Sequence, residues 1–103
     1  MGIEREEQLK QLVSEFPDSA PGHFSLGKLY LDSARWAAAA GCLAEATRLD
    51  PSYAAAWVAL GQALAGQGDG QRAREAYERA RQTPLARKDK RLVEEISRRL
   101  AEL

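Results

Sequence analysis

The sequence predicts an all-α fold: six helices arranged as antiparallel hairpins stacked into a short solenoid. Three observations lead there. The chain repeats itself at an offset of 34 residues, glycine and alanine recur in step within the two copies, and glycine and proline punctuate the apolar-periodic segments.

At that offset Leu26-Gly27 falls on Leu60-Gly61, Ala39 on Ala73 and Ala46 on Ala80, while Tyr30 matches Leu64 and Leu43 matches Tyr77. Gly27 and Gly61 carry no side chain where two helices must come close, a benefit that offsets a loss of about 1 kcal/mol in helix propensity. Ala39 and Ala73 are expected to fill the facing positions, with Trp57, Tyr30, Leu43 and Tyr77 supplying the large packing surfaces. Gly66, Gly68 and Gly70 read as a helix break and tight turn, and Pro51 as the junction between hairpins. The paired helices then fall over 20–32, 36–49, 54–66 and 71–82.

Two flanking segments complete the stack. Residues 3–16 place Leu9, Leu12, Val13 and Phe16 on one stripe, with Glu4, Glu7, Gln11 and Glu15 elsewhere, which describes an amphipathic helix halted by Pro17. Residues 88–103 carry Leu92, Val93, Ile96, Leu100 and Leu103 on one face and read as a capping helix.

The string Trp57-x2-Leu60-Gly61-x2-Leu64 followed by Ala73-x3-Tyr77-x2-Ala80 resembles the tetratricopeptide repeat. His23-x2-Leu26-Gly27-x2-Tyr30, then Ala39-x3-Leu43-x2-Ala46 and the closing Leu49-Asp50-Pro51, resembles a second copy. The resemblance implies one domain over 1–103: a half-repeat helix (3–16), a first repeat (20–53), a second (54–87) and a capping helix (88–103). It also implies a right-handed solenoid with the first helix of each hairpin on the concave face, working as a non-enzymatic scaffold or adaptor for a protein or peptide. The chain departs from the pattern at His23, where a bulkier residue is usual, at Gly70, opposite Trp36, and at Pro84, which arrives one residue early.

On those first helices the side chains expected to point away from the internal packing are Pro21, Phe24, Lys28 and Leu31, then Ala55, Val58, Gln62 and Ala65. Two readings of this face stay open. It is a groove for an extended or helical peptide with hydrophobic anchors, or the last helix folds over it and makes Phe24, Val58, Leu92 and Ile96 core. Some members of the family hold acidic chaperone tails in a lysine and asparagine clamp. This chain has no asparagine, and Phe24 and Val58 stand where polar groups would be needed, so heat-shock chaperone tails are not expected ligands.

Composition narrows the function classes. At 103 residues, 45% hydrophobic and 29% charged, the chain suits one globular unit. Its zero net charge is unevenly spread: 5 basic and 9 acidic residues run through Gln71, and 10 basic and 6 acidic follow, so the halves are about −4 and +4. The least compensated cations are Arg81, Arg87, Lys88, Lys90 and Arg91, a candidate contact for an acidic partner; nucleic acid is the weaker expectation, because Glu75–Arg79, Glu94–Arg98 and Glu95–Arg99 are spaced to compensate locally.

Cys42 matches Ala76 in the next copy and reads as a small packing residue, His23 as a packing substitute for Trp57, and Trp36 as packing on the first helix of its own hairpin. One cysteine and one histidine make no metal set, and consecutive carboxylates such as Glu6-Glu7 diverge on a helix, so neither metal, cofactor nor catalysis is expected. No apolar run approaches a membrane span, and a cytoplasmic location is expected. Polar residues around each terminal stripe favour a monomer, with a homodimer through the end helices as the competing expectation.

Overall fold

The computed structural model describes residues 2–103, with side chains from residue 4 onward. Its helices are α1 (Gly2–Glu15), α2 (Ala20–Asp32), α3 (Trp36–Leu49), α4 (Ala54–Gly66), α5 (Gly70–Arg81), α6 (Pro84–Lys88) and α7 (Lys90–Ala101). Among the described residues there is no strand. Among the described residues the expected count of six is corrected to seven. Thr83 takes an extended conformation, its Oγ1 accepts from Ala86 N at 3.4 Å, and Pro84 opens a five-residue helix. Asp89 then ends α6 and caps α7, its Oδ1 accepting from Arg91 N and Leu92 N, so the segment expected as one helix from 88 starts afresh at Lys90.

The hairpins α2–α3 and α4–α5 nest at the glycines. A Cβ at Gly27 would lie 2.6 Å from Leu43 Cγ, and one at Gly61 would enter the Tyr77 ring at less than 3.0 Å. The groups facing the glycines are thus Leu43 and Tyr77, a correction to the expectation of Ala39 and Ala73. Those two alanines are fully buried in the packed core. Leu43 and Tyr77 are 0% and 2% exposed, and with Leu26, Tyr30, Leu60 and Leu64 they form one continuous core.

Both hairpin turns have the same shape. Arg35 N donates to Tyr30 O and Asp69 N to Leu64 O, each at 2.9 Å, across a residue with positive φ: Ala34 at 57° and Gly68 at 83°. Of the three glycines read as turn residues, Gly68 supplies the turn. Gly66 is the last residue of α4, and a Cβ there would strike the Trp36 ring. Trp36 therefore also packs on the first helix of the following hairpin.

The flanking helices seal the core unequally. Leu9 is buried and Val13 partly buried, but Leu12 and Phe16 stand outside, so the α1 stripe is wider than the surface it covers. Glu6 ties α1 to the stack through Arg35, Nη1 to Oε1 2.6 Å, while Arg35 lies over the Tyr30 ring at 4.4 Å. At the other end α7 packs chiefly on α5 and α6, with Ile96 fully buried.

Candidate concave binding face

Position i, i+3, i+7 spacing puts Pro21, Phe24 and Lys28 in one row on α2, and Ala55, Val58 and Gln62 in one row on α4. A third row with the same spacing, Leu92, Glu95 and Arg99, comes from α7. The three helices bound a cleft of about 240 Å³ lined by Phe24, Lys28, Ala55, Val58, Gln62, Leu92, Glu95 and Arg99. A neighbouring cleft of about 520 Å³ shares Lys28, Gln62 and Arg99 and continues past Leu31, Trp36, Ala65 and Gly66 to Tyr77 and Glu102. Together they make one trough across the first-helix side of the stack.

Burial divides this face into core and half-exposed positions. Val58 and Leu31 are largely buried, at 8% and 9% exposure, so they pack in the core while still lining the clefts. Phe24, Lys28, Gln62 and Ala65 are half-buried, and Pro21 and Ala55 are exposed. Ile96 is core, and Leu92 is partly buried against the core and lines the trough with Ala55 and Val58. Phe24 is braced by the Tyr53 ring, centroids 5.0 Å apart.

Electrostatics grade along the trough. Its apolar end is Phe24, Ala55 and Leu92, and the exposed Pro21 lines neither cleft. At the other end Lys28 Nζ sits 3.8 Å from Asp32 Oδ1 and Arg99 Nη2 3.3 Å from Glu95 Oε1. With its oxygen turned toward Arg99, the Gln62 amide accepts from Nη1 at 2.9 Å and Nη2 at 3.1 Å. Arg99 Nε is buried with no acceptor. Burial pushes the Tyr77 hydroxyl pKa up, against the opposing pull of Arg99. This end is thus a hydrogen-bonding floor of alternating charge, suited to polar backbone and side-chain groups, next to an apolar wall.

Glu95 and Arg99 were absent from the residues that the sequence placed on this face. Their spacing from Leu92, identical to that of Ala55, Val58 and Gln62, was the signal available; the α6 insertion hid it by shifting the third row to an offset of 37 from the second.

The other candidates are scattered. Arg81, Arg87, Lys88, Lys90 and Arg91 are all exposed around α6, away from the trough. Arg81 is engaged with Glu78 at 2.7 Å, a correction to its reading as uncompensated. Of the expected i, i+4 pairs Glu95–Arg99 forms, whereas Arg79 stacks over Trp57 at 4.6 Å instead of meeting Glu75, and no Glu94–Arg98 pair forms among the described residues. Burial raises the Cys42 thiol pKa, which disfavours the thiolate. His23 Nε2 is 2.8 Å from Pro17 O, and because a carbonyl only accepts, the ring donates from Nε2. Trp57 Nε1 donates to Pro51 O at the same 2.8 Å, so His23 and Trp57 do the same job 34 residues apart. Among the described residues no helix is long and apolar enough to cross a membrane.

Comparison with known proteins agrees with this geometry. Residues 24–87 match the family model described as tetratricopeptide repeat. The solution structure of protein BPP2914 from Bordetella parapertussis superposes with a TM-score of 0.77 at 34% identity, over 94% of this chain and 84% of that one. The crystal structure of MamA also gives a TM-score of 0.77, at 26% identity over 97% of this chain; the match spans 65% of the MamA chain. Among curated proteins no significant sequence match was found.

Proposed function

Because the chain belongs to the tetratricopeptide repeat family, in which protein binding is the general role, we propose that it is a non-enzymatic adaptor whose concave trough holds a segment of a partner protein. The observation that carries this reading is the continuity of the three rows. Side chains from α2, α4 and α7 at matched spacing line clefts that meet at Lys28, Gln62 and Arg99. A peptide laid across the rows sets an apolar side chain against Phe24, Ala55 and Leu92, and its backbone or a polar side chain against the Lys28, Gln62 and Arg99 floor. Rigid helical packing keeps the ordering cost of such a site on the peptide side.

The test is selection of binding peptides from a random display library, followed by titration of a selected peptide into isotopically labelled protein. The proposal expects the amide signals of Phe24, Ala55, Gln62, Leu92 and Arg99 to move together, and Ala55→Arg to lower affinity at least tenfold with helicity unchanged. Signal changes confined to 81–91 or to α1, with Ala55→Arg binding normally, would place the site elsewhere.

A further inference from the structure

The trough is apolar at both ends and polar between them. Phe24, Ala55 and Leu92 line one end, and Leu31, Trp36 and Ala65 the other. Lys28, Gln62 and Arg99 lie in the middle, where the two clefts meet. Phe24 to Leu31 is seven residues along α2 and Ala55 to Ala65 ten along α4. At a helical rise of roughly 1.5 Å per residue the apolar ends are about 10 to 15 Å apart.

The polar middle carries hydrogen-bonding groups that the protein leaves unused. With the Gln62 oxygen on Arg99, no hydrogen bond from Gln62 Nε2 is found among the described residues. Tyr77 is 2% exposed and yet lines the larger cleft, and its hydroxyl, the one polar atom of the side chain, has no hydrogen-bond partner among the described residues. Arg99 does not supply one: its Nη atoms donate to Glu95 and Gln62, and its buried Nε meets no acceptor. A hydroxyl on so buried a ring calls for a partner from outside.

Charge selects that partner. Lys28 is matched by Asp32 and Arg99 by Glu95, while Glu102 stands exposed at the rim of the larger cleft. A carboxylate brought here faces three others, and an ammonium or guanidinium faces Lys28 and Arg99. A neutral amide meets neither repulsion. Its oxygen accepts from the Tyr77 hydroxyl or Gln62 Nε2, and its NH2 donates to a carboxylate or back to Tyr77 Oη.

We propose that the trough is specific for an extended segment carrying a glutamine or asparagine with a large apolar residue two positions to either side. In an extended chain these three side chains point the same way, and the outer two are about 13 Å apart, which fits both the order and the spacing of the apolar and polar parts of the trough. The proposal rests on the trough being the binding face, and it assigns Tyr77 and Gln62 to the choice of ligand.

Titration of isotopically labelled protein with short blocked peptides tests it. The frame Gly-Ser-Leu-Ser-X-Ser-Leu-Ser-Gly is used with X as glutamine, glutamate, lysine or leucine. The glutamine peptide is expected to move the signals of Ala55, Gln62, Ala65 and Arg99 and to bind at least tenfold more tightly than the glutamate and lysine peptides. Tyr77→Phe, which keeps the ring against Gly61, should unfold in urea much as wild type does and lose the preference for glutamine over leucine. Glu95→Gln should raise affinity for the glutamate peptide. Equal affinities, a charged peptide binding most tightly, a glutamine preference that survives Tyr77→Phe, or no binding by any peptide at millimolar concentration would each overturn the proposal. If library-selected peptides still move the trough signals, only the amide specificity has failed; if they move 81–91 or α1 instead, the trough reading falls with it.

Discussion

The two hairpins have the same backbone and build it with different residues. At the crossing, Gly27 meets Leu43 and Gly61 meets Tyr77. At the hairpin turn, Ala34 holds the positive φ in the first and Gly68 in the second. The following helix starts at Arg35 without a side-chain cap in one case, and at Asp69, whose carboxylate accepts from Arg72 N, in the other. The ring that anchors the entry is His23 on Pro17 O or Trp57 on Pro51 O. Each site in the repeat therefore demands a physical property, such as no Cβ, tolerance of positive φ, or a ring donor, and several residue types meet some of these demands. The crossing glycine is the demand with no substitute.

That contrast can be broken most forcefully at the crossings. Gly61→Ala is expected to lower unfolding free energy in urea by about 3 kcal/mol, because the buried Tyr77 ring has nowhere to go. Gly27→Ala should cost less, about 2 kcal/mol, since a leucine can change rotamer where a ring cannot. Equal and negligible effects would mean that the helices do not nest there. At the entry, His23→Phe removes the hydrogen bond to Pro17 O and should destabilise by about 1 kcal/mol, while His23→Trp, which copies the second hairpin, should restore it; thermal denaturation of both separates ring size from donation.

The turns sharpen the comparison at smaller scale. Gly68→Ala should cost about 1 kcal/mol by forcing a Cβ into the left-handed region, and Ala34→Gly, the reverse exchange, should gain about 0.5 kcal/mol after the entropy cost of glycine. Least is expected at the exposed tie between α1 and the first hairpin. Hydrogen bonds from Arg35 and then Lys10 hold the Glu6 carboxyl pKa below its ordinary value. A depressed folded value means that the pair stabilises above the unfolded carboxylate pKa and is lost as pH falls through the folded one. Amide exchange in α1 should therefore quicken on acidification below the carboxylate range, and that extra acid sensitivity should vanish in Glu6→Gln.

The repeat made most of the fold legible, because helix length and crossing are written in residues with few alternatives. The helices over 20–32, 36–49 and 54–66 match to the residue, and α5 begins one residue earlier than expected. What escaped was written in residues with many uses. Ala34 gives no sign of positive φ, since its turn is imposed by the hairpin around it. Trp36 reaches Gly66 across hairpins, a separation of 30 that the 34-residue offset does not pick out. The Thr83-Pro84 start of α6 is a readable cap and first-turn pair, but the segment between the helices expected over 71–82 and 88–103 is too short to show apolar periodicity. Along the trough the α2 and α4 rows could be read from the repeat. That Leu31 and Val58 turn into the core depends on helix rotation, which spacing alone does not set, and Glu95 and Arg99 joined the face only once α6 had set the phase of α7.

The nesting of hairpins at a missing Cβ underlies both the stack and its trough, and a double-mutant cycle on the second crossing tests it most directly. Urea unfolding of wild type, Gly61→Ala, Tyr77→Ala and the double variant gives the cost of the added methyl with and without the ring. With the ring present that cost is predicted at about 3 kcal/mol. With the ring removed it should change sign, to a gain of about 1 kcal/mol from the better helix propensity of alanine. An alanine at position 61 with the same effect in both backgrounds would contradict the account.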